Sequence, residues 1–274
     1  MSDFACFQVD AFTRHAFGGN PAAVMPLGEW LPDALLQQIA GENAVSETAF
    51  FVARAEAGAG EYDLRWFTPT VEVDLCGHAT LASAFVLMTR LAPSLQQVRF
   101  HSRSGPLVVS RDARDDGAFT LDFPARPPAP APQLGADLAA ALGATPHEVL
   151  RARDTVAVFE RAEDVRALRP DLTRVAALPD TFAVIVTAPG TGADADVDFV
   201  SRFFAPAKGV PEDPVTGSAH CTLTPLWAAR LGKPVLRARQ VSARVGELGC
   251  EHAGERVRMT GHAVLVKTGT LHIL

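Results

Sequence analysis

Two stretches of this sequence echo one another half a chain apart, and that duplication constrains the fold more than any single motif. Arg65-Trp66-Phe67-Thr68-Pro69 is followed by Glu72, Asp74, Gly77 and a helical run ending at Arg90-Leu91. Arg202-Phe203-Phe204-Ala205-Pro206 is followed by Glu212, Asp213, Gly217 and a helical run ending at Arg230-Leu231. Residues 77 and 217 stand 140 apart, and so do residues 90 and 230. Equivalent points thus recur after about half of the 274 residues, as expected of two similar domains, each with one central helix entered through a glycine turn. Between them lies PARPPAPAPQ, residues 124–133. It is too proline-rich for helix or central strand and should run extended, as a linker or a strap over the surface.

The rest of the chain reads as many short strands and few helices. Alternation and β-branched content predict strands at Ala5–Phe12, Ala49–Ala53, Asp63–Phe67, Gln97–His101, Leu107–Ser110 and Phe119–Phe123 in the first half. In the second half they predict Val156–Phe159, Phe182–Val186, Gln240–Arg244, Arg256–Gly261 and Ala263–Lys267. Helices are expected at Pro32–Ala40, His78–Leu91, Asp137–Ala141, Pro146–Leu150 and Ser218–Leu231. FGGNPAAV, residues 17–24, reads as a Gly-Gly-Asn-Pro turn in which Gly18 and Gly19 would let backbone approach a ligand.

Bulk properties remove several function classes. The net charge is −6 and the pI about 5.7, which argues against nucleic acid or an anionic membrane as partner. The start, MSDFACFQVDAF, lacks a basic n-region, and the apolar run 79–88 is too short to cross a bilayer, so a cytoplasmic protein is expected. Cys6, Cys76, Cys221 and Cys250 form no CxxC pair and read as free thiols. The eight histidines show no HxxxH or HxH, so no metal is expected. No GxGxxG or P-loop is present, and Gly190-Thr191-Gly192 has no phosphate-cradling context.

Chemistry concentrates at the two glycine turns and at one carboxylate. A helix N-terminus offers unpaired N–H groups and a partial positive charge. His78, in the first turn of its helix, sits where that field favours a neutral imidazole, unless it serves only as a cap. If the two domains face each other, both helix ends can address one anion or a developing enolate. Glu47, between Ser46 and Thr48, runs straight into apolar Ala49-Phe50-Phe51. It is either a half-buried carboxylate with a raised pKa or an exposed strand-start residue. In PEDPVTGSAHC, residues 211–221, Asp213 should stay ionised and Ser218 either caps the helix or donates to a substrate oxygen.

Together FQVDAFT…FGGNPAAV, VSETAFF, RWFTPTVEVDLCGHATLASA and RFFAPAKGVPEDPVTGSAHCTLTPLWAARLGK resemble the PhzF-like family of phenazine-biosynthesis isomerases, within the diaminopimelate-epimerase-like fold. The resemblance implies an α+β fold of two pseudo-symmetric β-barrel-like domains, each around a central helix. The first would span residues 1–123, joined by the C-terminal strand 263–274, and the second 124–262. It implies a site in the cleft between them, no cofactor, a small carboxylate substrate and a homodimer. Residue by residue it puts the acid/base on Glu47, with His78, Asp213 and Ser218 holding the substrate's polar groups. Ser46, Gly77, Gly217, Gly19 and Asn20 are the further candidates for contact with substrate.

The implied chemistry is of the trans-2,3-dihydro-3-hydroxyanthranilate isomerase type, a proton moved on a cyclic substrate. The alternatives are a two-thiol epimerase or racemase, or a non-catalytic binding or scaffold protein. Against the thiol reading, Cys76 precedes Gly77 whereas Cys221 follows Gly217, so the two are not equivalent under the repeat. The Cys-Gly-His-Ala-Thr stretch resembles a broad branch of the family rather than the phenazine enzymes themselves.

Overall fold

The computed structural model describes residues 2–54 and 56–273; the outer domain limits expected at residues 1 and 274 lie outside them. The chain divides into two compact units, residues 1–122 with 260–274, and residues 123–259.

Unit 1 contains β1 (Ser2–Ala11), β2 (Asn20–Leu27), α1 (Asp33–Asn43), β3 (Glu47–Ala53), β4 (Glu61–Phe67), β5 (Glu72–Val73), α2 (Gly77–Val86), β6 (Gln97–Ser102), β7 (Gly105–Arg111) and most of β8 (Ala118–Pro124). β1 and β2 are antiparallel, β2 and β3 parallel, β3 and β4 antiparallel, β4 and β6 parallel, and β6, β7 and β8 antiparallel. The C-terminal strand, Arg256–Ile273, pairs with both β8 and β1. Among the described residues this closes a ring of eight strands.

Each parallel pair needs a crossover, and helices supply it: α1 between β2 and β3, α2 between β4 and β6. α2 packs against β1, β2, β3 and β7 and is buried from Gly77 to Ala84 and at Val86. Its all-round apolar character is that of a helix wrapped by a barrel. The two hydroxyls it buries bond their own backbone, Thr80 Oγ1 to Cys76 O at 2.5 Å and Ser83 Oγ to Ala79 O at 2.7 Å. The helix expected over 78–91 continues past Val86 as one wider π turn, Leu87–Leu91, with Ala92 N donating to Leu87 O at 2.7 Å.

Unit 2 contains β9 (Ala129–Pro130), α3 (Gly135–Leu142), β10 (Glu148–Arg151), β11 (Thr155–Val158), α4 (Ala162–Ala167), α5 (Leu172–Ala176), β12 (Val184–Pro189), β13 (Phe199–Ala205), β14 (Val210–Asp213), α6 (Gly217–Leu231), β15 (Val235–Gln240), β16 (Gly246–Ala253) and the start of β17 (Arg256–Ile273). β10–β11 are antiparallel, β11–β12 parallel, β12–β13 antiparallel, β13–β15 parallel and β15–β16 antiparallel. This is the order of senses from β1 to β7. β14 flanks β13 as β5 flanks β4. The echo reaches single side chains. Arg65 Nε donates to Glu72 Oε1 at 2.7 Å and its guanidinium lies 5.1 Å from the Phe67 ring centre. Arg202 Nε donates to Glu212 Oε1 at 2.8 Å and lies 4.9 Å from that of Phe204.

Four expectations are corrected. Pro146–Leu150 is not helical: Val149 and Leu150 pair with Ala157 and Val156 in β10–β11. The strand expected over 240–244 lies earlier and ends at Gln240: Val241 N makes the last ladder bond, to Ser201 O at 2.8 Å, and beyond it the chain bends, with Ser242 Oγ donating to Pro214 O at 2.7 Å and Val245 N returning to Ser242 O at 3.3 Å. Residues 17–24 are a turn only as far as Gly19; β2 starts at Asn20, and Pro21 fits because it sits at the strand's first residues. Arg256–Gly261 and Ala263–Lys267 are one strand.

The proline segment is extended at β9 but not to its end, because Pro132–Leu134 close a single 3₁₀ turn, and it is bonded into unit 2 as a strap rather than a linker. β9 pairs with β10. Pro225 inside α6 has no N–H for the carbonyl of Cys221, and Arg126 N supplies the missing donor at 2.9 Å.

Candidate active site

In unit 1, Asn20 opens β2 and Glu47 opens β3, and these strands are neighbours, with Ala22 opposite Glu47. Both point to the start of α2, where Cys76 takes extended backbone (φ −140°) before the helix begins at Gly77. Glu47 Oε2 lies 3.0 Å from His78 Nε2, with side-chain exposures of 14% and 4%. Asn20 Nδ2 stands 3.1 Å from His78 Nδ1, and Cys76 Sγ lies 3.5 Å from Nδ1 and 3.9 Å from Nε2. Glu47 Oε2 is fully buried, and no aligned hydrogen-bond donor reaches it among the described residues.

The charge on His78 reverses the expectation from its helix position. Burial opposes protonation, but Cys76 and the Glu47 carboxylate more than offset it, and the pKa stands well above the ordinary imidazole value. The carboxylate is the partner that decides, because burial and Glu47 push the Cys76 thiol up to about 11 and leave it neutral. A full charge 3.0 Å away outweighs the partial charge of a helix end. The Asn20 amide can serve either protonation state. Its nitrogen donates to a bare Nδ1, and turned over, its oxygen accepts from Nδ1–H.

Ser46 is half-buried directly before Glu47. Gly19 has a local reason to be glycine: its φ is +59°, and a Cβ there would lie 2.1 Å from the Ala11 carbonyl oxygen.

In unit 2 the start of α6 is braced differently. Thr216, not Ser218, is the N-cap residue. Its N–H donates to Gln240 Oε1 at 2.8 Å, its hydroxyl donates to Asp213 Oδ2, and Gln240 Nε2 donates to Asp213 O at 2.7 Å. Gly217 is buried behind them. Ser218, half-buried in the first turn, accepts from Arg153 Nη2 at 3.2 Å. Arg153 also grips buried Asp154 through two bonds of 3.0 Å and lies 4.5 Å from the Phe182 ring centre.

Arg153 precedes β11 by two residues, and Asn20 opens β2, the equivalent strand. Asn20–His78 and Arg153–Ser218 are thus matching contacts with different chemistry. Sequence reasoning missed Arg153, Thr216 and Gln240. The 140-residue spacing does not carry back to residues 20 and 153, so only the strand order aligns them. Cys76, too, was weighed only as a free thiol or as half of a two-thiol pair, not as a neighbour of Glu47 and His78. The argument from histidine spacing against a metal centre did not foresee that Glu47, Cys76 and His78 would bring donor atoms within 4.8 Å of one another.

The two-thiol reading has no support in unit 2. Thr216 stands where a counterpart of Cys76 would be, and burial pushes Cys221 up to about 11 and Cys250 up to about 12. No helix among the described residues is long and apolar enough to cross a membrane.

Residues 9–269 match the family model described as phenazine biosynthesis-like protein. An uncharacterized isomerase of Pseudomonas aeruginosa is 52% identical over 269 residues, covering 97% of each chain. A solved phenazine biosynthesis PhzF-family structure from Enterococcus faecalis is 44% identical, with a TM-score of 0.92 over 99% of this chain and 100% of that one. A probable proline racemase from Agrobacterium radiobacter, 12% identical with a TM-score of 0.59 over 99% of this chain and 93% of that one, shares the fold alone. The epimerase-like α+β fold, the isomerase relatives and the match over nearly the whole chain lead to one conclusion: this chain is an isomerase and belongs to the phenazine biosynthesis-like (PhzC-PhzF) family.

Proposed function

We propose that this isomerase works without a cofactor and moves a proton between carbon atoms of a small, cyclic carboxylate substrate. Glu47 removes the proton and returns it elsewhere on the same face. The observation that carries this reading is the buried Glu47 Oε2, without an aligned donor and 3.0 Å from His78 Nε2. What Glu47 gives up on taking the proton is its charge pairing with His78, and that pairing re-forms when the proton is returned to carbon, which favours its delivery. Ser46 and Gly77 flank these groups in the same unit. In unit 2, Asp213, Gly217 and Ser218 are the groups proposed to hold the substrate's polar atoms, supported by the rigid bracing of Thr216 and Gln240.

The test is a screen of cyclic and amino-acid carboxylates in heavy water, read by mass and NMR. The expected result is enzyme-dependent deuterium at carbon with the wild type and none with Glu47→Gln. Exchange that persists at the wild-type rate in the variant rules out Glu47 as the base. A ligand that binds without any exchange favours a binding protein instead.

A further inference from the structure

Three donors of different chemistry meet at the start of α2: the carboxylate of Glu47, the sulfur of Cys76 and the imidazole of His78. Sγ lies 3.9 Å from Nε2, Nε2 lies 3.0 Å from Oε2, and no pair of donor atoms is further apart than 4.8 Å. Tetrahedral Zn²⁺, with bonds of about 2.3 Å to sulfur and about 2.0–2.1 Å to nitrogen and oxygen, spaces its donors about 3.3–3.6 Å apart. Two edges of the trio therefore fit within a few tenths of an ångström, and the third needs roughly an ångström of side-chain rotation. Asn20 completes the arrangement from behind. With Nε2 on the ion, Nδ1 carries a proton, and the turned amide of Asn20 is positioned to accept it. The sulfur selects against Mg²⁺ and Ca²⁺, and three donors leave a fourth position open.

We propose that Glu47, Cys76 and His78 form a Zn²⁺ site, and that the ion inhibits the isomerase reversibly by occupying the carboxylate that moves the proton. Binding breaks the S–H bond of Cys76 and the Nε2–H bond of the charged His78 and forms bonds from the ion to Sγ, to Nε2 and to a Glu47 oxygen; both protons leave to buffer and aqua ligands leave the ion. The inhibitory half rests on the reading of Glu47 as the base, whereas the binding half stands without it.

The experiment titrates the metal-free full chain with Zn²⁺ by calorimetry and with Co²⁺ by absorption. One high-affinity equivalent per chain is expected, with release of two protons, one from Cys76 and one from His78, and a thiolate-to-cobalt charge-transfer band. Cys76→Ser and His78→Asn should each weaken binding at least tenfold and abolish the band. No saturable binding, or binding that both variants leave within about twofold, overturns the site. Should Cys76→Ser fail to fold, Cys76→Ala and the wild-type cobalt spectrum decide, and a wild type without the band overturns the site as well. With an exchange-active substrate, Zn²⁺ should stop deuterium incorporation and a chelator should restore it; undiminished exchange at saturating Zn²⁺ overturns the inhibition. A chain that binds Zn²⁺ but exchanges nothing keeps the metal site and sinks the functional reading, so the two failures are distinct.

Discussion

The two central helices each place a buried histidine in their first turn or just beyond it, and the two histidines have opposite fates. His78 in α2 faces the Glu47 carboxylate at 3.0 Å, and its pKa is raised. His220 in α6 has no carboxylate beside it among the described residues: the Thr216 carbonyl lies 2.8 Å from Nδ1 and the Phe199 ring centre 5.8 Å from its own, and burial pushes its pKa down to about 4. The surrounding frames are otherwise alike, down to the Arg–Glu pair over a phenylalanine in each unit. Duplication has therefore preserved the scaffold while the ionisable chemistry diverged. A single carboxylate partner separates a histidine that can carry charge from one that is part of the core.

The largest effect should come from testing that division directly. Glu47→Gln is expected to lower kcat about 10²–10⁴-fold while ligand affinity stays within about tenfold. Ser218→Ala in unit 2 should cost far less, and equal losses in steady-state kinetics would break the comparison.

Next come the paired arginines. Arg202 is the more buried of the two and also donates to the carbonyls of Val165 and Leu168. Arg202→Met should cost about 3–5 kcal/mol in urea unfolding, because it strands Glu212 and two carbonyls. Arg65→Met should cost less, about 1–3 kcal/mol, since Glu72 keeps a second partner in Arg103. A reversed order would show that the frames are not equivalent.

The acid limb of stability sharpens the contrast between the histidines. His220 is depressed, so the unfolded chain binds the proton first. Stability is therefore intact above the unfolded value near 6.5 and falls as the pH drops toward 4, by about 3 kcal/mol at most. His78, raised, acts with the other sign: its contribution is full below about 6.5 and is lost as the pH rises through its folded value. Urea midpoints against pH for wild type and His220→Gln check this, the variant having the flatter acid limb.

The smallest effect is local. Asp171 caps α5 by accepting from Thr173 N at 3.0 Å and Arg174 N at 3.1 Å. Asp171→Ala should cost about 1 kcal/mol, measurable by thermal melting, without altering kinetics.

Much of this molecule was legible in its residues where the reason is local. Gly77 and Gly217 announced both central helices, and alternation located most strands. Legibility failed where a neighbour distant in sequence decided the outcome. Val149 and Leu150 followed a proline as a helix start would, yet β11 offered them a strand partner. The proline segment read equally as a linker or a surface strap, because nothing nearby in sequence shows that Pro225 leaves the Cys221 carbonyl in need of Arg126.

The sequence by itself determined the duplicated frame, the two glycine-led helices and the carboxylate at the head of an apolar strand. Those features follow from backbone propensity and periodicity, which act over a few residues. Only the tertiary structure decided that Glu47, Cys76, His78 and Asn20 share one buried corner, and that His78 is the histidine whose protonation is favoured. Charge inside a protein is set by which groups lie within a few ångströms under low dielectric, and chain spacing does not encode that distance.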